Sequence, residues 1–189
     1  VNMIPARDID EFNAMSEADK QWFRSWLDWA DQHIEYLRRL RPIIGQPRIG
    51  KVDGTAAIIG GTGYVFLFNP NYRKLTAQFR LDRSIGLTSG ARFIITQLEP
   101  QPAKLIGKPW AGIWNYGDTV SLLMEGASAV VVEIKPAADL TLPALFNLGG
   151  EVSMQGNQLV VTGATGEIGA AAEMLALVSP GTSVESVVV

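Results

Sequence analysis

Tyr36-Leu-Arg-Arg-Leu-Arg-Pro-Ile-Ile-Gly45 is where the chain changes character. Upstream of it, Trp22, Trp26, Trp29, His33, Leu37 and Leu40 recur at helical spacing and define one stripe. Phe23, Leu27, Ala30 and Ile34 make an adjoining stripe. The combined apolar arc is wider than a surface helix needs, which predicts a helix buried on two sides. Ser16-Glu-Ala-Asp19 resembles a capping box that would start this helix. Pro42 is expected to end it, because proline pushes Arg41 out of the α region. Pro5 and the acidic residues Asp8, Asp10 and Glu11 suggest an irregular lead-in.

Downstream of Pro42 the period shifts from helix to strand. Leu75, Ala77, Phe79 and Leu81 alternate with Thr76, Gln78 and Arg80, so one face is buried and the other is wet. Val120, Leu122 and Met124 repeat the pattern, as do Val130, Val132 and Ile134. Tyr64-Val-Phe-Leu-Phe68 is apolar throughout and suits a central strand covered on both faces. Turn chemistry separates these runs at Gly60-Gly-Thr-Gly63, Asn69-Pro-Asn71, Gly86, Gly90, Gly117-Asp118 and Glu125-Gly126. The fold expected is mainly β. An N-terminal amphipathic helix packs on an antiparallel β-sandwich, with a small additional β region at the C-terminal end. The boundaries expected are 1–45 for the lead-in and helix, 46–137 for the sandwich and 138–189 for a truncated four-strand meander.

Composition limits the function. With 189 residues, 47% hydrophobic and 19% charged, the chain reads as globular. A net charge of −3 leaves no electrostatic footprint for nucleic acid. Cysteine is absent, which excludes disulfides and thiolate metal sites. No apolar run approaches the ~18 residues of a membrane-spanning helix. The first residues, Val1-Asn-Met3, and the last, Ser186-Val-Val-Val189, suggest a piece of a longer protein.

Few residues offer chemistry. Thr162-Gly-Ala-Thr-Gly-Glu-Ile-Gly169 follows an apolar run and places Gly163, Gly166 and Gly169 as in a dinucleotide-binding turn of short-chain dehydrogenase type. The competing reading, a Gly-rich turn between antiparallel strands, is favoured. Val184–Val189 would be the second strand of a βαβ unit, and the acidic ribose-binding residue expected after it is missing. Gly60-Gly-Thr-Gly63 lacks the Lys-Ser/Thr of a phosphate loop and reads as a hairpin turn. His33 is the sole histidine and reads as a packed, hydrogen-bonded side chain. Asp53, Asp82, Asp118, Glu125 and Glu133 could supply a glycosidase pair in number, yet they sit beside glycine or at strand ends, where solvated turn residues belong. No catalytic residue, metal site or cofactor is therefore assigned. Trp110, Trp114 and Tyr116, with Asn115 and Asp118, form a weak carbohydrate-binding candidate in which rings stack on sugar faces and polar groups take hydroxyls. The competing reading packs these rings against the tryptophan helix.

Several stretches together resemble the end of a glycoside hydrolase of the α-galactosidase or α-amylase type. Leu37-Arg-Arg-Leu-Arg-Pro-Ile-Ile-Gly45 is similar to the last helix of such a barrel and its exit. Gly50-Lys-Val-Asp-Gly54, Gly63-Tyr-Val-Phe-Leu-Phe-Asn-Pro70 and Leu75-Thr-Ala-Gln-Phe-Arg-Leu-Asp82 are similar to the opening of the appended C-terminal β-sandwich. Tyr116-Gly-Asp-Thr-Val-Ser-Leu-Leu-Met124 and Ala127-Ser-Ala-Val-Val-Val-Glu-Ile-Lys135 resemble its closing hairpin. The resemblance covers about residues 20–136. It implies an upstream catalytic barrel as partner and a non-catalytic accessory role here. It also implies an extracellular or periplasmic setting if the parent is secreted. A homodimer through the Trp22, Trp26 and Trp29 face is a further expectation.

Overall fold

The structure, a computed structural model, describes residues 8–45, 48–107, 112–165 and 173–179. It is mainly β, with 46% strand and 18% helix. Every strand pairing in it is antiparallel.

The lead-in is more regular than its sequence suggests. Ile9–Ala14 forms a short helix, α1, whose cap Asp8 accepts a hydrogen bond from the Glu11 amide at 2.9 Å. The acidic residues there cap and neutralise a helix start. Helix α2 then runs Glu17–Gln32. Ser16 Oγ accepts from the Asp19 amide at 3.1 Å and donates to Asp19 Oδ2 at 2.6 Å. The expected cap is present, with the carboxylate bound to the hydroxyl.

The helix does not run on to Pro42. His33 leaves helical geometry at φ −113° and ψ 19°, and a single turn, α3, follows at Ile34–Leu37. His33 Nδ1 lies 2.7 Å from the Trp29 carbonyl oxygen, so side chain and backbone share one partner at the break. Pro42 lies inside a strand, β1 (Arg41–Ile44). That strand is the outermost of its sheet, where a missing N–H is tolerated.

Strands β2 (Asp53–Ile59) and β3 (Thr62–Asn69) form a hairpin whose two-residue turn is Gly60-Gly61. Gly60 takes φ 64°, the positive value that a primed hairpin turn requires at its first position. Further along come β4 (Leu75–Arg80), β5 (Arg92–Glu99), β6 (Lys104–Leu105), β7 (Trp114–Asn115), β8 (Thr119–Met124) and β9 (Ser128–Pro136). The wide sheet has the order β1-β2-β3-β9-β5-β6, with β7 added on β5, and β4 pairs β8 as a separate ribbon. The ribbon covers one face of the wide sheet. Between them lies the core: Val65, Leu67, Phe93, Ile95, Val132 and Ile134 from the sheet meet Ala77, Phe79, Val120 and Met124 from the ribbon. Leu81, Ile85 and Leu87, from the loop after β4, complete it.

The other face of the wide sheet is apolar as well. Ala57, Tyr64, Ile94 and Val131 are buried outside that core. This accounts for the unbroken apolar runs of β2, β3 and β5, and it gives the helix a seat.

The C-terminal region is a hairpin flanked by a ribbon, not a sequential meander. Strands β11 (Gly149–Gln155) and β12 (Gln158–Thr165) pair with each other, while β10 (Ala144–Phe146) pairs β13 (Leu175–Leu177). The last expected strand, Val184–Val189, lies outside the described residues. Asn147 ties this region back by accepting from the Leu105 amide at 2.9 Å and donating its own amide to Ala103 O at 3.0 Å.

Candidate functional site

The aromatic row on α2 is the most distinctive surface. Trp22 and Trp26 meet edge to face at 6.3 Å, and Trp26 and Trp29 at 5.4 Å. Trp29 stacks on His33 at 4.4 Å. The spacing of these four positions puts every ring on one helix face.

The two ends of the row differ. At one end Trp29 stands edge-on to Tyr64 at 4.8 Å and to Phe66 at 6.3 Å, both from β3. His33 and Tyr36 close around the same tyrosine at 5.1 and 5.3 Å. At the other end Trp22 is 55% exposed. Leu27 and Ile34 are exposed too, and α2 contains no buried residue. The helix is thus seated on the sheet by one end of one face. The burial on two sides expected from its composition does not occur within the described residues, because the sheet reaches one side.

Tyr64 lies at the centre of this seat. Its hydroxyl donates to Glu133 Oε1 at 3.2 Å, across the β3–β9 register. Burial, then the Glu133 charge and hydrogen bond, and then Tyr36 push its phenol well above the ordinary value. Lys135 Nζ holds Glu133 Oε2 at 2.9 Å. This pair was not legible beforehand, since cross-strand register cannot be read from one sequence.

The carbohydrate candidate is only partly assembled as a surface. Trp114 is 6% exposed, lies in the sandwich core and donates its indole N–H to Ile106 O. Its neighbours are the sandwich residues, not the tryptophan helix. A ring held there presents no face to a ligand. Tyr116 is 43% exposed, and the Asn115 amide donates to Asp118 Oδ2 at 2.6 Å across a tight turn. Trp110 lies outside the described residues.

Gly163, the described glycine of the nucleotide alternative, is not in a nucleotide-binding setting. Gly163 sits inside β12, in the left-handed region at φ 64°, and the strand runs on to Thr165 in an antiparallel hairpin. A pyrophosphate turn needs a strand that ends there and pairs in parallel. Gly166 and Gly169 lie outside the described residues.

The other carboxylates have local work. The Ser84 hydroxyl, and then the Ser84 backbone N–H that donates to Asp82 Oδ1 at 2.8 Å, hold the Asp82 carboxyl below the usual range. Glu125 is paired with Lys74 at 2.6 Å. Among the described residues, no group of His, Asp and Glu is arranged to hold a metal ion. None of their helices is long and apolar enough to cross a membrane.

No family model matches the chain, and no curated protein matches it in sequence. Among solved structures it is similar to a Bacillus halodurans protein assigned as an α-N-acetylgalactosaminidase. There the identity is 17% and the TM-score 0.39, over 51% of this chain and 20% of that one. A GH27 β-L-arabinopyranosidase from Geobacillus stearothermophilus is similar at 13% identity and TM-score 0.39, over 55% of this chain and 20% of that one. The same enzyme as a D197A variant with arabinose gives 13% and 0.38, over 52% and 20%. The matched region thus spans about a fifth of each of those proteins. Likenesses this weak leave the fold to rest on its own strand pairings.

Proposed function

We propose that the chain is a non-catalytic accessory module of a glycoside hydrolase, a β-sandwich that seats on a neighbouring domain through the tryptophan face of α2. One observation carries this reading: the aromatic row is anchored on the sheet at Trp29 and stands in water at Trp22. Covering the exposed half of an indole stabilises an interface by about 3 kcal/mol at ~25 cal/mol per Å². The proposed partner is the catalytic barrel domain that the sequence resemblance over residues 20–136 implies upstream. The boundaries 1–45, 46–137 and 138–189 remain the proposed division of the chain.

The gene's full reading frame tests the parentage. A preceding segment of alternating strands and helices supports it. A frame that begins at the first residue ends it. Co-expression with that segment tests the docking: Trp22→Asp should break a complex that the unaltered chain forms.

A weak sugar contact is proposed at Tyr116, with Asn115 and Asp118 as hydroxyl partners. Its support is the 43% exposure of the Tyr116 ring. A glycan titration that is flat for both the unaltered chain and Tyr116→Ala leaves only the docking role. A second reading, a homodimer through the Trp22, Trp26 and Trp29 face, is favoured by the 55% exposure of Trp22 in one chain. Sedimentation decides it: a strict monomer removes the dimer.

A further inference from the structure

A second surface lies on two loops of the sandwich, remote in sequence from the helix. Arg48, Ile49 and Gly50 precede β2, and Pro70, Asn71, Tyr72 and Arg73 join β3 to β4. Together they line a concavity of about 730 Å³. Ile49 and Tyr72 are almost wholly exposed, at 102% and 98%. Two apolar side chains held in water beside two guanidiniums form an arrangement that folding alone does not demand.

The loops are held in place by their own hydrogen bonds. Asn69, buried at the end of β3, donates to Arg73 O at 2.8 Å and to Glu125 O at 2.7 Å. Asn71 Oδ1 accepts from the Gly50 amide at 2.6 Å, and Asn71 Nδ2 donates to Lys51 O at 2.8 Å. The Arg73 guanidinium lies over Gly50, with Nη2 3.5 Å from where a Cβ would stand. The backbone of both loops is therefore organised before any ligand arrives, which lowers the cost of binding.

Its charge and its backbone together indicate what it takes. Arg48 and Arg73 line it, and Lys51 follows in the same loop. The neighbouring acid Glu125 is neutralised by Lys74. An anionic group fits, and guanidiniums bind carboxylate or sulfate in a fork. The main-chain groups that an extended peptide would pair with are already used, at Gly50 N, Lys51 O, Asn71 N and O, and Arg73 O. Recognition is left to side chains: an aromatic ring and an apolar Pro70–Ile49 surface for a flat ring, and two guanidiniums for its charge.

From this we infer that the concavity binds an acidic oligosaccharide, a uronate- or sulfate-bearing glycan, with Tyr72 under a sugar ring and Arg48 and Arg73 on its anionic groups. The inference stands apart from the docking helix and from Tyr116.

Calorimetric titration of the full chain tests it, with trigalacturonate and a heparin-derived hexasaccharide as probes. Neutral galactotriose, a polyglutamate peptide and phosphatidylserine vesicles serve as controls. At least one acidic glycan should bind at least about tenfold more tightly than the neutral sugar, and its affinity should fall as salt rises. Arg73→Ala and Tyr72→Ala should each weaken it by about tenfold, and Tyr116→Ala should leave it unchanged. These sites are exposed, so unfolding does not confound the result. Binding of neither acidic glycan, equal binding of neutral and acidic sugars, or stronger binding to the peptide or to vesicles would overturn the assignment. Loss of barrel docking with glycan binding intact would instead count against the proposed function alone.

Discussion

Replacing Asn69 by alanine should destabilise the sandwich more than its small volume suggests. The side chain is 1% exposed and makes four hydrogen bonds. Its nitrogen donates to Arg73 O and Glu125 O; its oxygen accepts from the Asn71 amide and from Asn71 Nδ2. Glu125 O keeps a second partner, the Ser128 hydroxyl, at 2.6 Å. Arg73 O loses the Asn69 donor. The two donated bonds at about 1 kcal/mol each, plus about 1 kcal/mol for the carbonyl left behind, give a loss of about 3 kcal/mol; the two accepted bonds come from half-buried Asn71, where water takes over, and add little. Urea unfolding followed by tryptophan fluorescence reads this as a lower midpoint at unchanged slope. Asn69→Asp sharpens the test. It keeps the acceptor but sets carboxylate oxygens against two carbonyls, so it should be worse than alanine. A loss under about 0.5 kcal/mol for alanine, or a milder effect for aspartate, would show that water replaces the donor and that the reasoning fails.

Four further substitutions have distinct outcomes. Trp29→Ala should free the helix from Tyr64 and Phe66 and cost about 2 kcal/mol, since the ring is half-buried; circular dichroism should lose helical signal before the β signal changes. Gly63→Ala should be severe, because its φ is 155° and an added Cβ would collide with Ala57 O. Gly156→Ala, at φ 60° with open space around it, should cost only about 1 kcal/mol in the same unfolding assay. The raised phenol of Tyr64 makes stability fall at alkaline pH. Its contribution is complete below the ordinary phenol value of 10.0 and is lost as pH rises towards the folded-state value. Tyr64→Phe should flatten that alkaline limb in a denaturation series, and an unchanged limb would refute the assignment.

Much of the fold was legible because the wet faces of its strands are truly wet. The alternation in Leu75–Leu81 and in Val120–Met124 marks a ribbon with one side in water, and both strands lie where the pattern puts them. Strands β2 and β5 resist the same reading, because Ala57 and Ile94 are buried on the face opposite the main core. The helix break at His33 depends on one side chain reaching the Trp29 carbonyl, which no periodicity records. Trp114 is the clearest limit at the candidate site. A tryptophan beside glycine and asparagine looks like a binding platform, and only the pairing of β7 with β5 shows that it faces inward. The ring of Arg48, Ile49, Tyr72 and Arg73 was hidden because its halves lie on two loops joined by asparagine side chains.

The sandwich is lopsided, with seven strands opposed by two. A narrow ribbon thus shields the interior that a broad layer supplies, and few inter-strand bonds hold that shield shut. Opening it would wet Phe79, Val120 and Met124 while the broad layer stayed intact. Amides in 75–80 and 119–124 should therefore trade hydrogen for deuterium ahead of those in 62–69, and proteolysis should begin at the same flap.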